Sequence, residues 1–264
     1  MENMEYTEFY DLHCHFLPGM DDGCKTPEES IRLLHEQYRQ GCRGVVATSH
    51  YYSNESIHSF LKRRAQSASR LVQALQERIV EIHSTREKGE KSGEESAGIR
   101  IPHVVFGAEV AYRDSLARNK DLEKLCFGQS RYLLLEMPFT PWTDRTIRGV
   151  EEIENTWGIT PIIAHIERYQ DVADKDYIEA LLDSDVLVQL NAGNFGSWRS
   201  ARNASRLIKN GSVQVLGTDS HNLEKRPPNM ELAIEGLRKK NMEEELGEIL
   251  ATNRNVFMAA RGEA

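Results

Sequence analysis

The sequence predicts an α/β fold in which parallel strands curl into a barrel. Seven short apolar runs, rich in β-branched residues and leucine, alternate with longer amphipathic stretches. Runs of this kind are typical of strands buried on both faces of a parallel sheet. A length of 264 residues suits one barrel better than two domains of ordinary size. We therefore expect a single domain over residues 1–264, built from seven strand–helix units.

The seven predicted strands each lead directly into polar residues. They are Tyr10–Leu12, Gly44–Thr48, His103–Phe106, Tyr132–Leu135, Pro161–Ala164, Val186–Leu190 and Val213–Leu216. A regular barrel of this class has eight units, so a count of seven indicates either a missed strand or a distorted, incompletely closed barrel. In such folds the chemistry lies where strands end and loops begin.

The first predicted helix has the strongest start signal. Residues 26–29 (TPEE) form a capping box with proline at the first helical position, and Gly41 is a plausible end. A long second helix is indicated by apolar residues at helical spacing from Phe60 to Ile82. Further helices are expected near 143–157, 174–183, 198–210 and 229–250.

Two segments carry weaker signals. Residues 84–99 are polar, contain glycine and lack periodicity, which predicts an exposed insertion in the domain; a substrate-facing lid is the alternative. The last segment, 241–264, predicts a helix followed by a loose tail.

Composition excludes several classes of protein. A formal net charge of −8 makes nucleic acid a poor candidate partner. No uncharged run approaches the ~18 residues of a membrane span. The acidic N-terminus lacks the apolar region of a signal peptide, and the four cysteines form no C-x-x-C pair, so they are expected to be reduced thiols. We therefore expect a cytoplasmic protein; the sequence does not predict its oligomeric state.

The candidate site consists of polar residues at the ends of the predicted strands. Five histidines follow strands directly, and three carboxylates join them: His13, His15, His50, His165, His221, Asp22, Glu109 and Asp219. The two-residue spacing of His13 and His15 puts both side chains on one face of a strand, and Asp219 and His221 repeat it. Cys14 and Ser220 should then point away. Imidazole and carboxylate suit divalent first-row metals, and eight ligands indicate two or three ions.

Two arginines fall at the same rim. Arg168 follows His165 by three residues, and Arg226 follows His221 by five. A guanidinium group can bind phosphate through paired hydrogen bonds, although each could also be an ordinary surface arginine. Aromatic residues in the rim loops either pack around an aromatic substrate or cap the core: Phe16, Tyr51, Tyr52, Phe139, Trp142, Phe195 and Trp198.

Several other phosphate-handling sites are missing from the sequence. No cysteine is followed six residues later by arginine, so the Cys-x₅-Arg loop of thiol phosphatases is absent. Neither G-x-x-x-x-G-K-[ST] nor G-x-G-x-x-G occurs, which removes support for nucleotide-binding loops. The G-x-S-x-G motif of serine hydrolases is also absent.

With these residues assembled, the chain resembles the PHP (polymerase and histidinol phosphatase) superfamily, in particular the bacterial manganese-dependent protein-tyrosine phosphatases encoded with capsule and exopolysaccharide genes. The matching stretches are DLHCHFLPGMDDG (11–23), ATSH (47–50), FGAEV (106–110), IIAHIERY (162–169), LNAGNFG (190–196) and GTDSH (217–221). This resemblance implies a distorted (β/α)₇ TIM-like barrel with a trinuclear metal site. It also implies that the eight residues above are the ligands and that Arg168 and Arg226 hold phosphate.

The expected reaction is hydrolysis of protein phosphotyrosine by a hydroxide that bridges two metals. Manganese is the expected ion, with iron, cobalt or zinc as alternatives. The resemblance implies a phosphotyrosine protein as substrate, in particular the tyrosine-rich tail of a polysaccharide-assembly kinase. Two alternatives stay open: a small-molecule phosphatase acting on histidinol phosphate, and a catalytically silent metal-binding regulator.

Overall fold

A curled sheet of short parallel strands lies at the centre of the computed structural model, which describes residues 7–87 and 99–263. All neighbouring strands in the described ranges are parallel. The strands are β1 (Phe9–Cys14), β2 (Cys42–Ala47), β3 (His50–Tyr51), β4 (His103–Phe106), β5 (Glu109–Ala111), β6 (Tyr132–Glu136), β7 (Thr160–Ile163), β8 (Leu187–Asn191) and β9 (Val215–Gly217).

The strands form two hydrogen-bonded sets, β1-β2-β4 and β3-β5-β6-β7-β8-β9. These sets share two chain segments, because β3 continues β2 and β5 continues β4. Hydrogen bonds from Gly107 N to Ala47 O (2.9 Å) and from Glu109 N to Thr48 O (3.1 Å) join the two pairings. The two strands beyond the predicted seven are therefore short continuations at the rim, not additional strand–helix units.

The curled sheet brings its first and last strands together. Cys14, at the end of β1, forms a parallel bridge with Ser220, just after β9. His15 N donates to Ser220 O (2.9 Å) and Asp219 N donates to His13 O (2.8 Å). The α/β fold with a curled parallel sheet is confirmed, and a complete distorted (β/α)₇ barrel stays a prediction.

Seven α-helices cover the described part of the sheet. They are α1 (Pro27–Arg39), α2 (Ile57–Glu87), α3 (Asp144–Trp157), α4 (Lys175–Leu182), α5 (Trp198–Lys209), α6 (Met230–Arg238) and α7 (Glu243–Arg261). The predicted capping box of α1 is confirmed: the Thr26 hydroxyl accepts from Glu29 N (3.2 Å), and the Glu29 carboxylate accepts from Thr26 N (3.4 Å). In this part of the chain no helix combines the length and hydropathy needed to span a membrane.

The C-terminal region differs from the prediction in two ways. The single helix expected over 229–250 is wrong, because α6 ends at Arg238 and Asn241 has a positive φ of 53°, which interrupts the helix. The expected loose tail is also wrong. Helix α7 packs on β1 and β9 and buries Phe257 completely, so the C-terminal segment is part of the core.

The polar stretch at 84–99 also differs from the prediction where the structure describes it. Helix α2 continues to Glu87, so the first four residues of that stretch are helical. Residues 88–98 lie outside the described residues, and the insertion and the lid stay predictions.

An apolar cluster inside the curl explains why the polar residues gather at one rim. Successive strands contribute to it Leu12, Val46, Val105, Leu134, Ile162 and Val215, and α7 adds Val256, Phe257 and Ala260. These apolar side chains fill the interior of the curled sheet below the carboxyl ends of its strands. The carboxyl ends of the strands are thus left for the polar side chains that follow.

Candidate metal centre

Strand β1 places two fully buried histidines side by side. The Nε2 atoms of His13 and His15 lie 3.1 Å apart. Cys14, between them, points to the other side, where its Sγ lies 3.1 Å from Ser220 Oγ. The predicted alternation along this strand and along the segment after β9 is therefore confirmed.

Glu109, at the start of β5, lies at the middle of the histidine cluster. Its Oε2 atom is 3.2 Å from His13 Nε2, 3.2 Å from His15 Nε2 and 3.1 Å from His50 Nδ1. Its Oε1 atom is 2.9 Å from His165 Nε2. Yet Oε2 makes no well-directed hydrogen bond, and the same holds for His50 Nδ1. A buried carboxylate oxygen costs free energy unless it is satisfied, so a cation between these atoms fits the site.

The segment after β9 completes the cluster with Asp219 and His221. Asp219 Oδ1 lies 3.4 Å from His13 Nε2 and 3.5 Å from His15 Nε2. The Nδ1 atom of His221 is 2.9 Å from the backbone oxygen of Asp219. This contact leaves its Nε2 atom 3.2 Å from Asp22 Oδ1, and His50 Nε2 is 3.5 Å from the same oxygen.

All eight predicted ligands thus converge at one rim. Seven of them, together with Glu136, fall into three overlapping groups, and within each group the ligand atoms lie within 4.8 Å of one another: His15, Asp22, His50 and His221; His13, His15 and Asp219; and His50, Glu109 and Glu136. His165 joins through its contact with Glu109. The donor set of imidazole nitrogens and carboxylate oxygens suits divalent first-row metals.

Local backbone conformation helps to place two of these residues. His165 (φ 34°) and Asp219 (φ 53°) are two of the three non-glycine residues with positive φ in the described chain. Such conformations cost roughly 1–3 kcal/mol each and are concentrated at functional sites. Here they turn the chain just after β7 and β9, where the His165 side chain reaches Glu109 and the Asp219 side chain reaches His13.

Glu136 is a member of the site that the sequence did not predict. Its carboxylate lies 3.6 Å from His165 Nε2 and belongs to the group formed with His50 and Glu109. Burial, together with the negative charge of Glu109, raises the pKa of Glu136 to about 7. The signal was present in the sequence, because Glu136 directly follows an apolar run as the predicted ligands do.

The residues that orient the histidines were also not predicted from the sequence. Asp21 Oδ2 lies 2.9 Å from His15 Nδ1 and accepts from His50 N (2.9 Å). Gln189 Oε1 lies 3.1 Å from His13 Nδ1 and accepts from His165 N (2.8 Å). Partners of this kind fix the ring orientation of metal-binding histidines. They hold the Nε2 atoms of His13 and His15 toward Glu109.

The electrostatics of the cluster are those of buried carboxylates among imidazoles. Burial opposes the charged form of His15, but the hydrogen bond to Asp21 and the nearby Glu109 carboxylate outweigh it and raise its pKa to about 10. Burial alone would raise the pKa of Glu109, yet the charge of His13 and the close imidazole nitrogens of His13, His15 and His165 hold it well below its usual value. Without metal, protons on imidazole nitrogens therefore compensate the carboxylates.

In the other three histidines of the cluster the pKa is lowered, which favours neutral imidazole. Burial and the positive charges of His15 and Arg226 lower the pKa of His221 to about 4. Burial also lowers the pKa values of His50 and His165. Neutral imidazole is the form that binds metal.

Both predicted arginines lie beside this cluster. Arg168 Nη2 donates to Asp219 Oδ2, and Arg226 Nη2 lies 2.6 Å from the same oxygen. Asn191 Nδ2 is a third donor to it, at 2.9 Å. The two arginine side chains are 37% and 35% exposed, so both combine a buried anchor with an accessible guanidinium. An anion bound at the rim would contact two positively charged guanidinium groups.

Comparisons with known proteins agree with this geometry. The family model for capsular polysaccharide synthesis, CpsB/CapC, matches residues 9–259. The tyrosine-protein phosphatase CpsB of Streptococcus pneumoniae is 30% identical over 260 residues, which cover 94% of this chain and 98% of that protein. The tyrosine-protein phosphatase YwqE of Bacillus subtilis (strain 168) is 26% identical over 265 residues, which cover 94% and 93%.

Solved structures show the same fold. One match is to crystal structures of YwqE from Bacillus subtilis and CpsB from Streptococcus pneumoniae, described as unique metal-dependent tyrosine phosphatases. It has a TM-score of 0.72 and 22% identity, and covers 97% of this chain and 95% of that one. The organophosphorus hydrolase of Deinococcus radiodurans matches with a TM-score of 0.51 and 12% identity, covering 94% and 92%. At these identities the likeness concerns the fold.

Proposed function

The chain belongs to the CpsB/CapC family of capsular polysaccharide synthesis, and from that premise we propose that it is a metal-dependent protein-tyrosine phosphatase. The observation that carries the proposal is the position of Glu109 Oε2. This buried oxygen lies 3.1–3.2 Å from three imidazole nitrogens and has no hydrogen bond. Beside it stand two arginines with accessible guanidinium groups. A cation site next to an anion site is what phosphoester hydrolysis requires.

The proposed metal ligands are the eight residues that converge at the rim. They are His13, His15, Asp22, His50, Glu109, His165, Asp219 and His221. We propose two to three divalent ions, manganese first, although iron, cobalt and zinc accept the same ligand types. Glu136 offers a further carboxylate next to His50 and Glu109. When bound, such ions lower the pKa of a coordinated water and so supply a nucleophile near neutral pH.

Arg168 and Arg226 bind the phosphoryl oxygens in this proposal. Arg168 uses Nη2 on Asp219 Oδ2, and Arg226 uses Nη2 on the same oxygen and Nη1 beside His221 Nε2 (2.8 Å). Both retain further N–H groups for the substrate. Their positive charge offsets the negative charge on the phosphoryl oxygens as the ester bond breaks. Because tyrosine has a pKa of about 10, its oxygen leaves more easily than that of an alkyl alcohol.

The residues that contact the Nδ1 atoms of His15 and His13 hold these rings in position. Asp21 and Gln189 contact the Nδ1 atoms of His15 and His13, so Nε2 is the atom that each ring presents to a cation. Gln189 also donates to Asn191 (2.8 Å), which in turn donates to Asp219. One hydrogen-bonded chain thus links a β1 histidine to the carboxylate that anchors both arginines.

The wider proposal concerns substrate, fold and location. We propose that the physiological substrate is the tyrosine-rich tail of a polysaccharide-assembly tyrosine kinase, which the capsule-synthesis family supports. We propose one domain over 1–264 with a distorted (β/α)₇ barrel, which the hydrogen bonds between the ends of β1 and β9 support. A cytoplasmic location stays a prediction; all four cysteines are free and buried.

A paired kinetic assay tests the function. With Mn²⁺ added, kcat/KM is measured for a phosphotyrosine peptide and for histidinol phosphate, each with a chelator control. We expect a strong, chelator-sensitive preference for the peptide. Preference for histidinol phosphate would keep the metal centre but contradict the substrate. Stoichiometric metal without turnover of either ester would contradict phosphatase activity and favour a metal-binding regulator.

A further inference from the structure

Two exposed aromatic rings stand next to the buried metal centre. Among the rim aromatics, Phe16, Tyr51 and Trp142 are buried in the core. Tyr52 and Phe139 are 45% and 53% exposed. Single exposed aromatic residues are common and need no explanation. These two differ because each ring lies against a histidine of the site.

The two rings stack on different ligand histidines. Tyr52 lies on His50, with ring centroids 4.9 Å apart and an interplanar angle of 23°. Phe139 lies on His165, with centroids 6.2 Å apart and an angle of 21°. Both pairs are close to parallel, so each exposed ring lies against the face of an imidazole of the site.

The two stacked pairs flank a single carboxylate. His50 Nδ1 faces Glu109 Oε2 at 3.1 Å, and His165 Nε2 faces Glu109 Oε1 at 2.9 Å. Tyr52 and Phe139 are thus each joined to Glu109 through one histidine. Two exposed aromatic rings therefore lie one side chain away from the carboxylate at the middle of the site.

Phe139 is supported from behind, which argues against a freely moving ring. Its centroid is 5.4 Å from the ring of Tyr169, which is fully buried. The Tyr169 hydroxyl accepts from Met137 N (2.9 Å), and Trp142 packs on the same ring at 5.3 Å. The loop after β6 thus holds Phe139 in place over His165.

We propose that Tyr52 and Phe139 form the walls of the substrate entrance and bind the phenyl ring of the phosphate ester. This inference rests on the proposed phosphatase function. Six of the eight ligand side chains are buried, and only Asp22 is largely exposed, so the phosphoryl group lies below the surface while the peptide backbone stays outside. A phenyl ring spans that interval between the two walls, whereas a short alkyl chain makes few contacts with them. The walls therefore select aryl over alkyl phosphates.

The test compares an aryl and an alkyl ester on the manganese-loaded enzyme. Phenyl phosphate and trifluoroethyl phosphate are suitable, because both release an activated alcohol. The variants are Tyr52→Leu, Phe139→Leu and the double substitution. Phe106→Leu is the matched control, since Phe106 is 37% exposed and its ring contact is with Arg64.

We expect each wall variant to lower the aryl-to-alkyl ratio of kcat/KM about three- to tenfold, from the usual strength of aromatic pairs. The loss should appear mainly in KM for the aryl ester. The double variant should lose more than either single variant, since both rings contact the same phenyl group in this proposal. Manganese content and the control variant should stay at the level of the unaltered enzyme.

Two results would overturn the proposal. Equal losses for both esters would mean that the rings only support His50 and His165, and an unchanged ratio would mean that the substrate ring binds elsewhere. If the enzyme hydrolyses neither ester, the phosphatase function fails separately. In that case the binding affinities for phenylphosphonate and methylphosphonate are compared. Tighter binding of phenylphosphonate that the wall variants lose supports the proposal, and equal binding of the two compounds overturns it.

Discussion

Replacing Arg168 by alanine should separate phosphate binding from metal binding. Three donors converge on Asp219 Oδ2, namely Arg168, Arg226 and Asn191. Removing one leaves two, so Asp219 stays paired and should keep its metal. The substrate, in contrast, loses a charge-assisted hydrogen bond to a phosphoryl oxygen.

The size of the effect follows from that lost contact. A hydrogen bond to a charged group contributes about 1.5–3 kcal/mol, and ~1.36 kcal/mol corresponds to a factor of ten in rate. We therefore expect kcat/KM for a phosphotyrosine peptide to fall roughly ten- to 150-fold. Arg168→Lys should recover only part of the activity, because lysine keeps the charge but lacks the planar fork.

The assay measures kcat, KM and bound manganese for Arg168→Ala beside a control, Arg206→Ala. Arg206 is an exposed arginine on α5 that bonds Asn203, and its loss should leave all three values unchanged. Unchanged kinetics for Arg168→Ala would refute the assigned phosphate role. Loss of manganese together with activity would mean that Arg168 supports Asp219 instead of the substrate.

Three further predictions test the core, the proton balance and the histidine partners. Phe257→Ala should lower the free energy of unfolding by about 3–5 kcal/mol, seen in denaturant melts; a negligible change would mean that α7 does not support the core. The pKa values of His13 and His15 are raised in the metal-free protein, so metal binding at neutral pH should release protons and weaken as pH falls. Calorimetry in two buffers of different ionisation enthalpy measures this release, and equal heats would contradict it. Gln189→Leu should weaken manganese binding about tenfold to a hundredfold, measured by metal titration; unaltered affinity would show that Gln189 does not orient the rings.

The sequence alone predicted that eight ligand-type residues would meet at one place. Apolar runs mark where strands end, and the carboxyl ends of parallel strands meet at one rim. Five histidines and three carboxylates could therefore be assigned to one place although Asp22 and Asp219 are far apart in the chain. The period of two along a strand also predicted that Cys14 points away from His13 and His15.

The residues that support the centre were not predictable in the same way. Gln189 lies inside the apolar run of β8, where a polar residue signals nothing about its partner. Its contacts are with His13 on β1 and His165 after β7, and only the lateral order of the strands brings them together. For the same reason the sequence named Asp22, which lies with His15, His50 and His221, but not Asp21, which contacts His15 Nδ1.

Tertiary structure also decided what is exposed. Tyr51 and Tyr52 are adjacent in sequence, yet Tyr51 is buried against Phe60 and Tyr52 stands at the entrance of the centre. Alternation along the strand requires that they differ, but it does not say which one faces inward. That choice depends on strand register and on the side chains packed from distant segments, because burial is a property of the assembled surface and not of the local sequence.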